Sequence, residues 1–213
     1  MRTTAEQVLV DGPAGRIEVI VEAPSEPRGI ALVGHPHPLF GGTNTNKVAQ
    51  TLAKAMTLLG YVALRPAFRG TGQTEGVHDE GRGETDDQIA VLDWAKARFG
   101  AQLPIVLTGF SFGAYVSANV ASRLAAAGTP PLRMVLVGTA AGHVEGARKY
   151  DTAAVAADTL VIHGSADETV PLYNVLQWAE PMDLSVVVVP GADHFFHRRL
   201  HVIRDIILRA WKH

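Results

Sequence analysis

Short apolar runs rich in β-branched residues alternate along this chain with longer segments whose apolar residues recur every three or four positions. This alternation is typical of a mostly parallel sheet that carries helices on both faces. Eight runs are predicted to be strands: 7–10, 16–22, 29–33, 61–64, 105–108, 133–137, 159–162 and 185–189. Five segments are predicted to be helices: 46–59, 84–99, 112–126, 171–180 and 197–211. We therefore predict an α/β protein, with a single domain over residues 1–213 because no linker or repeat divides the chain.

Two parts of the chain depart from this simple alternation. The turn signal Asp-Gly-Pro at residues 11–13 separates the first two runs, which we expect to pair in antiparallel fashion because this tripeptide cannot sit inside a strand. Residues 140–157 are rich in Ala and Gly and show neither a clear strand pattern nor a strongly amphipathic one. We expect a loop there, with room for one short helix.

Composition excludes several classes of protein. The chain has no cysteine, which excludes disulfide scaffolds, cysteine-ligated metal centres and a thiol nucleophile. A net charge of −2 provides no basic surface for a phosphate backbone, so we expect no nucleic-acid partner. Residues 1–7 lack the apolar run of a secretory signal, and no stretch reaches the roughly 18 apolar residues of a membrane span. We therefore expect a cytoplasmic protein with no membrane partner.

The most specific motif is Gly-Phe-Ser-Phe-Gly at residues 109–113, which follows a predicted strand and opens a predicted helix. A serine on so tight a turn projects its hydroxyl above the edge of the sheet, and the turn needs small neighbours such as these two glycines. Ser111 is therefore a candidate nucleophile. The backbone N–H of Phe112, at the start of the helix, is a candidate oxyanion donor. Ser117 and Ser122 are weaker candidates because they fall inside the helix, where hydroxyls usually bond to the backbone.

A serine nucleophile needs a histidine base that is itself held by a carboxylate. Asp167 follows the predicted strand 159–162, and His194 follows the strand 185–189. Because the carboxyl ends of parallel strands meet at one edge of a sheet, both should lie on the same edge as Ser111. The chain order Ser, Asp, His also matches that of hydrolases with this strand-turn-helix motif. We therefore predict Asp167 as the acid and His194 as the base.

Nearby side chains offer alternatives to this assignment. Glu168 is the fallback acid, whereas Asp193 is disfavoured because adjacent loop side chains seldom face each other. His163 is expected to serve in a turn or in support of the acid. His194, with the histidines at positions 197 and 201, has the spacing of a metal-binding helical face, but a solvated helix gives the same spacing and no carboxylate completes a ligand set. We expect neither a metal nor a cofactor.

The loop after the strand 29–33 contains His-Pro-His-Pro at residues 35–38. In a fold of this kind the corresponding loop supplies a second oxyanion donor. The two prolines have no N–H, so the amides of His37 and Leu39 are the candidates, with His37 slightly favoured. A second glycine-rich loop, residues 68–76, lacks the Gly-Lys-Ser/Thr ending of a phosphate loop. It is interpreted as a sharp turn in which Arg69 pairs with a nearby carboxylate.

Four motifs together resemble a group of small bacterial serine hydrolases within the α/β-hydrolase superfamily. They are His-Pro-His-Pro-Leu-Phe-Gly-Gly-Thr at 35–43, Phe-Arg-Gly at 68–70, Gly-Phe-Ser-Phe-Gly-Ala at 109–114 and Gly-Ala-Asp-His-Phe-Phe at 191–196. The resemblance covers almost the whole chain. It implies the α/β-hydrolase fold, Ser111 as nucleophile, Asp167 as acid, His194 as base, and no cofactor. Many larger relatives carry a lid after the sixth strand, but residues 138–158 are too few to build a substantial cap domain.

Two functional hypotheses follow from these residues. The leading one is hydrolysis of carboxylic esters or thioesters through an acyl-enzyme, with a small-molecule acyl compound as substrate. The alternative is a ligand-binding or sensing protein that keeps the fold but turns over slowly or not at all. The intact Ser-Asp-His set favours the enzyme. Edge strands and exposed helices also leave room for a homodimer.

Overall fold

The computed structural model describes residues 3–146 and 148–211, with side chains described from residue 5 onward. Eight strands form the central sheet: β1 (Thr3–Gly12), β2 (Gly15–Pro24), β3 (Gly29–Gly34), β4 (Tyr61–Pro66), β5 (Ile105–Phe110), β6 (Arg133–Val137), β9 (Leu160–Gly164) and β10 (Val186–Val189). Their order is β1-β2-β4-β3-β5-β6-β9-β10. Strand β2 is antiparallel to both β1 and β4, and all other neighbours are parallel. The prediction of a mostly parallel eight-stranded sheet is confirmed.

Helices cover both faces of this sheet: α1 (Lys47–Leu58), α2 (Arg82–Phe99), α3 (Phe112–Ala126), α4 (Leu172–Ala179) and α5 (Leu200–Ala210). Side chains alternate along a strand, so β3 sends Leu32 into a core with α2 and α3 and Val33 into a second core with α1 and α5. Both faces of the central strands are therefore buried. None of the helices within the described residues is long and apolar enough to cross a membrane.

The opening hairpin is tighter than the sequence suggests. Strands β1 and β2 pair as predicted, but Asp11 lies opposite Arg16 and Gly12 opposite Gly15, inside the ladder. The expectation that the whole Asp-Gly-Pro turn lies outside the strands was wrong. Only residues 13 and 14 connect the strands, and the proline sits where no ladder hydrogen bond is needed.

Residues 140–157 contain a two-stranded hairpin, so the expectation of a loop or short helix was wrong. Strand β7 (Gly142–Val144) pairs in antiparallel fashion with β8 (Arg148–Tyr150). Gly142 and Gly146 have φ angles of +63° and +78°, a left-handed conformation that glycine adopts without steric cost. The hairpin is the largest element between β6 and β9 in the described part of the chain, which therefore carries no cap domain there.

Candidate active site

Ser111 occupies the sharp turn between β5 and α3. Its backbone has φ +56° and ψ −119°, a conformation that non-glycine residues rarely adopt and that the surrounding structure must enforce. The amide of Ser111 donates a hydrogen bond to the carbonyl of Val137 at the end of β6, at 2.9 Å. This turn holds the hydroxyl at the carboxyl edge of the sheet.

Three glycines make room for the turn. A Cβ added to Gly113 would lie 2.3 Å from the backbone of Gly34, and one added to Gly109 would lie 2.3 Å from the carbonyl oxygen of Gly113. Real Cβ atoms do not approach backbone so closely, so α3 can pack against β3 and β5 only because these positions lack side chains. The spacing of the Gly-x-Ser-x-Gly motif thus has a direct steric cause.

The predicted nucleophile, base and acid lie in one hydrogen-bonded chain. Ser111 Oγ is 3.0 Å from His194 Nε2, and His194 Nδ1 is 2.7 Å from Asp167 Oδ2. Because a carboxylate only accepts, Nδ1 carries the imidazole proton and Nε2 is free to accept from the serine hydroxyl. All three side chains are buried. This arrangement can take a proton from Ser111 and stabilise the resulting imidazolium.

Neither of the neighbouring acidic residues takes the place of Asp167. Glu168 is exposed, whereas Asp167 is buried and accepts backbone hydrogen bonds from Thr169 at 3.0 Å and Val170 at 2.8 Å. Asp193 contacts a different histidine: its carboxylate lies 2.7 Å from Nδ1 of His197. Among the described residues, no group of three or more His, Asp or Glu side chains is arranged to hold a metal ion.

His163 lies beside the acid, in the supporting position that the sequence suggests. Its Nε2 is 2.9 Å from the carbonyl oxygen of Val170 and 3.4 Å from Asp167 Oδ2. Burial lowers the pKa of His163, which therefore remains neutral at neutral pH and donates its Nε2–H to Val170. The side chain thus ties the end of β9 to the loop that carries the acid.

Two backbone amides are available near the serine hydroxyl. Phe112 is the first residue of α3, so its N–H has no acceptor within the helix. The amide of His37 donates to none of the described residues, and His37 lines the same small pocket as Ser111. The amide of Leu39 instead donates to Nδ1 of the His37 imidazole at 3.3 Å. The geometry therefore favours His37 over Leu39 as the second donor.

Both histidines of the His-Pro-His-Pro loop are neutral. Burial lowers the pKa of His35 to about 3, and burial together with nearby His78 and Arg148 lowers the pKa of His37 to about 4. His35 Nε2 accepts from the amide of Phe68 at 2.8 Å, and its Nδ1 lies 2.7 Å from the carbonyl oxygen of Pro36. The loop is thus anchored to the turn that follows β4.

That turn also carries the ion pair expected for Arg69. Its guanidinium donates to both oxygens of the buried Asp87 on α2, from Nε at 2.7 Å and from Nη2 at 3.0 Å. A bidentate pair of this kind fixes both position and orientation. The interpretation of residues 68–76 as a structural turn with a carboxylate partner is therefore confirmed.

Two adjoining cavities open at this edge of the sheet. A pocket of about 150 Å³ contains Ser111 and His194, and beside it lies an open cleft of about 550 Å³. His37, Phe40 and Arg148 border both. Sequence reasoning did not single out Phe40 or Arg148 as site residues. Arg148 lies on the unpredicted hairpin, so no periodicity or motif pointed to it.

The fold and this geometry define the class of protein as an α/β serine hydrolase without a lid. The sequence profile of a family described as X-Pro dipeptidyl-peptidase (S15 family) matches residues 11–143, more than half of the chain. The chain belongs to this family. The matched range includes Ser111 and ends before Asp167 and His194.

Solved structures agree with the class of α/β serine hydrolase. An α/β serine hydrolase homologue from Coxiella burnetii superposes with a TM-score of 0.85 at 38% identity, covering 100% of both chains. A serine hydrolase from Xanthomonas campestris, described as lacking a lid, superposes with a TM-score of 0.84 at 33% identity over 99% of this chain and 94% of the other. Both likenesses extend over the region that contains all three predicted catalytic side chains.

Curated relatives differ in how much of their length is matched. Protein RP471 of Rickettsia prowazekii is 33% identical over 201 residues, which cover 89% of this chain and 82% of RP471. The lysophosphatidylserine lipase ABHD12 of Danio rerio is 35% identical over 106 residues, or 48% of this chain. That match spans only 27% of the lipase, so it concerns a part of that protein.

Proposed function

We propose that this protein hydrolyses carboxylic esters or thioesters of small acyl compounds through an acyl-enzyme on Ser111. The observation that carries the proposal is the hydrogen-bonded chain from Ser111 through His194 to Asp167, with contacts of 3.0 and 2.7 Å. A simple binding site has no need of a serine, a base and an acid aligned in this order.

Acylation begins when the hydroxyl oxygen of Ser111 attacks the carbonyl carbon of the substrate. His194 Nε2 takes the hydroxyl proton as the new C–O bond forms, and Asp167 stabilises the imidazolium. The imidazolium then gives this proton to the leaving alcohol or thiol as the tetrahedral intermediate collapses. In the second half-reaction His194 activates water in the same way, which releases the acid and restores the serine.

The negative charge of the tetrahedral intermediate needs donors that are already in place. The amides of Phe112 and His37 supply them in this proposal, and the N-terminus of α3 adds its dipole. The side chain of His37 holds the loop around its own amide, because its Nδ1 accepts a hydrogen bond from the backbone N–H of Leu39. Two prolines flank His37 and restrict the backbone on either side, so the donor is oriented before substrate binds.

The small pocket and the open cleft favour a soluble substrate of modest size. The pocket at the serine has a volume of about 150 Å³, which suits a short acyl group, while the adjoining cleft is open to solvent and accepts a longer moiety. The family is named for a peptidase and one relative is named a lipase. Ester cleavage is proposed first because alcohols and thiols leave more readily than amines.

A substrate panel tests this function. The panel contains p-nitrophenyl esters of increasing acyl length, acyl-CoA thioesters and an X-Pro p-nitroanilide, each assayed with the wild type, Ser111→Ala and Ser122→Ala. Ser122 is exposed on α3 and serves as the matched control. We expect ester or thioester turnover that falls on the order of 10⁶-fold in Ser111→Ala and stays unchanged in Ser122→Ala.

Other results would overturn the proposal. Full turnover by Ser111→Ala would exclude this serine as the nucleophile. Turnover of the anilide alone would make the protein a peptidase rather than an esterase. A stoichiometric burst with no steady turnover across the panel would favour the ligand-binding alternative.

A further inference from the structure

The small pocket that contains Ser111 and His194 is called the nucleophile pocket below. Arg148 lies at the border between this pocket and the open cleft, and lines both. Its Nε and Nη2 donate to the backbone carbonyl of Glu145, at 3.0 and 2.8 Å, across the turn of the β7–β8 hairpin. The guanidinium carbon lies 4.0 Å from the centre of the Phe40 ring. These contacts hold the charged group at the cavity border and leave other N–H groups free to bind an anion.

Within the described part of the chain, Arg148 makes no salt bridge with a carboxylate. Two acidic residues, Glu145 and Asp151, lie three positions from Arg148 in sequence. Glu145, which also lines the pocket that contains Ser111, accepts a hydrogen bond from the hydroxyl of Thr169 at 3.3 Å. Arg148 also forms a hydrogen bond with the hydroxyl of Tyr150. This hydroxyl carries no charge at neutral pH, because burial raises the pKa of Tyr150. A guanidinium between two cavities without a charged partner is a natural anchor for an anionic group.

Three basic residues, Arg82, Arg148 and Lys149, line the cleft together with two acidic ones, Glu80 and Asp151. Arg82 is already paired, with Asp79 at 3.0 Å and Glu80 at 3.6 Å. Lys149 and Asp151 also line the cleft and oppose each other in charge. Within the described residues, Arg148 and Lys149 are the basic residues of the cleft that make no salt bridge with a carboxylate, and of these two only Arg148 also lines the pocket that contains Ser111.

Aromatic rings form the wall of the cleft beyond Arg148. The ring centres of Phe112 and Tyr115 are 5.9 Å apart, and those of Tyr115 and Tyr150 are 5.1 Å apart. Phe40 at the cavity border is 64% exposed. A substrate lying along this wall would bury apolar surface against these rings while Arg148 bound an anionic oxygen.

We propose that Arg148 selects substrates that carry an anionic oxygen group, a carboxylate or a phosphate, near the acyl bond attacked by Ser111, with the apolar part along the aromatic cleft. The inference rests on the proposed ester or thioester hydrolysis and specifies its substrate class. Arg148 acts as a specificity-determining residue that binds a substrate group which takes no part in the bond that breaks. Its contribution should therefore appear mainly in KM.

Matched esters test the inference. Mono-p-nitrophenyl adipate carries a terminal carboxylate, p-nitrophenyl 6-methylheptanoate replaces that carboxylate with a neutral group of the same shape, and p-nitrophenyl 5-phosphonopentanoate carries a phosphonate. Arg148→Gln should lower kcat/KM for the preferred anionic ester by about 10–100-fold, mainly through KM, since hydrogen bonds to charged groups contribute a few kcal/mol at most. The neutral ester should change little. Comparison of the two anionic esters identifies which anion the site prefers.

Arg209→Gln is the matched control, because it makes the same substitution at an exposed residue of α5 that lines neither cavity. We expect it to affect the anionic and neutral esters alike, and only slightly. Arg148→Lys should retain part of the preference. A neutral phosphonate should still label Ser111 in Arg148→Gln at the wild-type rate, which shows that the site is intact.

An equal loss of kcat/KM on the anionic and neutral esters in Arg148→Gln would overturn the inference. Arg148 would then only stabilise the β7–β8 hairpin. Equal wild-type activity on the anionic ester and its neutral isostere would also overturn it. The proposed function itself fails in a different way, if no ester or thioester is cleaved in a Ser111-dependent manner. Ser111-dependent hydrolysis of both the anionic and the neutral ester that is unaffected by Arg148→Gln therefore rejects only the substrate class.

Discussion

The two oxygens of Asp167 have different partners. Oδ2 lies 2.7 Å from His194, while Oδ1 accepts from the amides of Thr169 and Val170. These backbone donors hold the carboxylate in one orientation. An amide in the same place would still accept from the backbone through its oxygen, but it would present an NH₂ group to the imidazole.

Asp167→Asn should therefore lower kcat for the ester substrate by about 10⁴-fold, because the amide favours the wrong tautomer of His194. Glu168→Gln is the matched control: it removes a carboxylate one residue away that is exposed. Steady-state kinetics of both variants measure the difference. Equal losses in the two variants would mean that Asp167 does not orient the base.

His35 is a buried histidine whose neutral form is required by its contacts. Nε2 accepts from the amide of Phe68, so a proton on this nitrogen would break that hydrogen bond. Burial lowers the pKa of His35 from 6.5 to about 3. Below pH 6.5 the unfolded chain binds a proton that the folded protein does not. The contribution of neutral His35 to the free energy of unfolding is thus fully present above pH 6.5 and is lost as the pH falls towards 3.

The free energy of unfolding should show this difference in protonation. Between pH 7.5 and 4.5 the stability advantage of the wild type over His35→Gln should shrink by roughly 2–3 kcal/mol, at about 1.4 kcal/mol per pH unit below the unfolded-state pKa. Urea unfolding at a series of pH values measures it, and groups common to both proteins cancel. An advantage that stays constant with pH would contradict a neutral His35.

At the scale of elements, the contact between α3 and the strands β3 and β5 depends on missing side chains. The closest approach is between Gly113 and Gly34, where an added Cβ would lie 2.3 Å from backbone atoms. Backbone in the centre of a parallel sheet cannot shift as a flexible side chain can. The position of the serine turn is therefore coupled to the packing of the whole helix.

Gly113→Ala should destabilise the protein by about 2–3 kcal/mol, because the overpacking cost exceeds the gain in helix propensity of up to about 1 kcal/mol. Ser122→Ala, at an exposed position of the same helix, should change stability by less than about 0.5 kcal/mol. Urea denaturation of the two variants makes the comparison. A Gly113→Ala protein at least as stable as the wild type would contradict the steric account.

The elements that sequence predicts well are those with a clear period. Every strand of the central sheet and each of the five α-helices in the described residues was predicted, with ends displaced by a few residues because caps and pairing partners set the boundaries. The β7–β8 hairpin was missed because three-residue strands are too short to show a period of two. Arg148 was missed with it, since its place beside the nucleophile pocket depends on tertiary contacts alone.

At the scale of the whole molecule, a parallel sheet brings distant residues to one edge. Ser111 and His194 are 83 residues apart in sequence, and His194 and Asp167 are 27 apart, yet all three follow strands that end at the same edge. Their proximity was predictable because strand direction and chain order determine it. Sequence could favour the His37 amide over that of Leu39 only slightly, because the availability of the Leu39 amide depends on the orientation of the His37 imidazole.

The central claim is that Ser111 is a nucleophile activated by His194. The most direct measurement is covalent labelling with an active-serine phosphonate, followed by mass determination and peptide mapping of the wild type and of Ser111→Ala and His194→Gln. We predict a single adduct on Ser111 in the wild type, no adduct in Ser111→Ala and much slower labelling in His194→Gln. Labelling at another residue, or equal labelling rates in the wild type and His194→Gln, would contradict the claim.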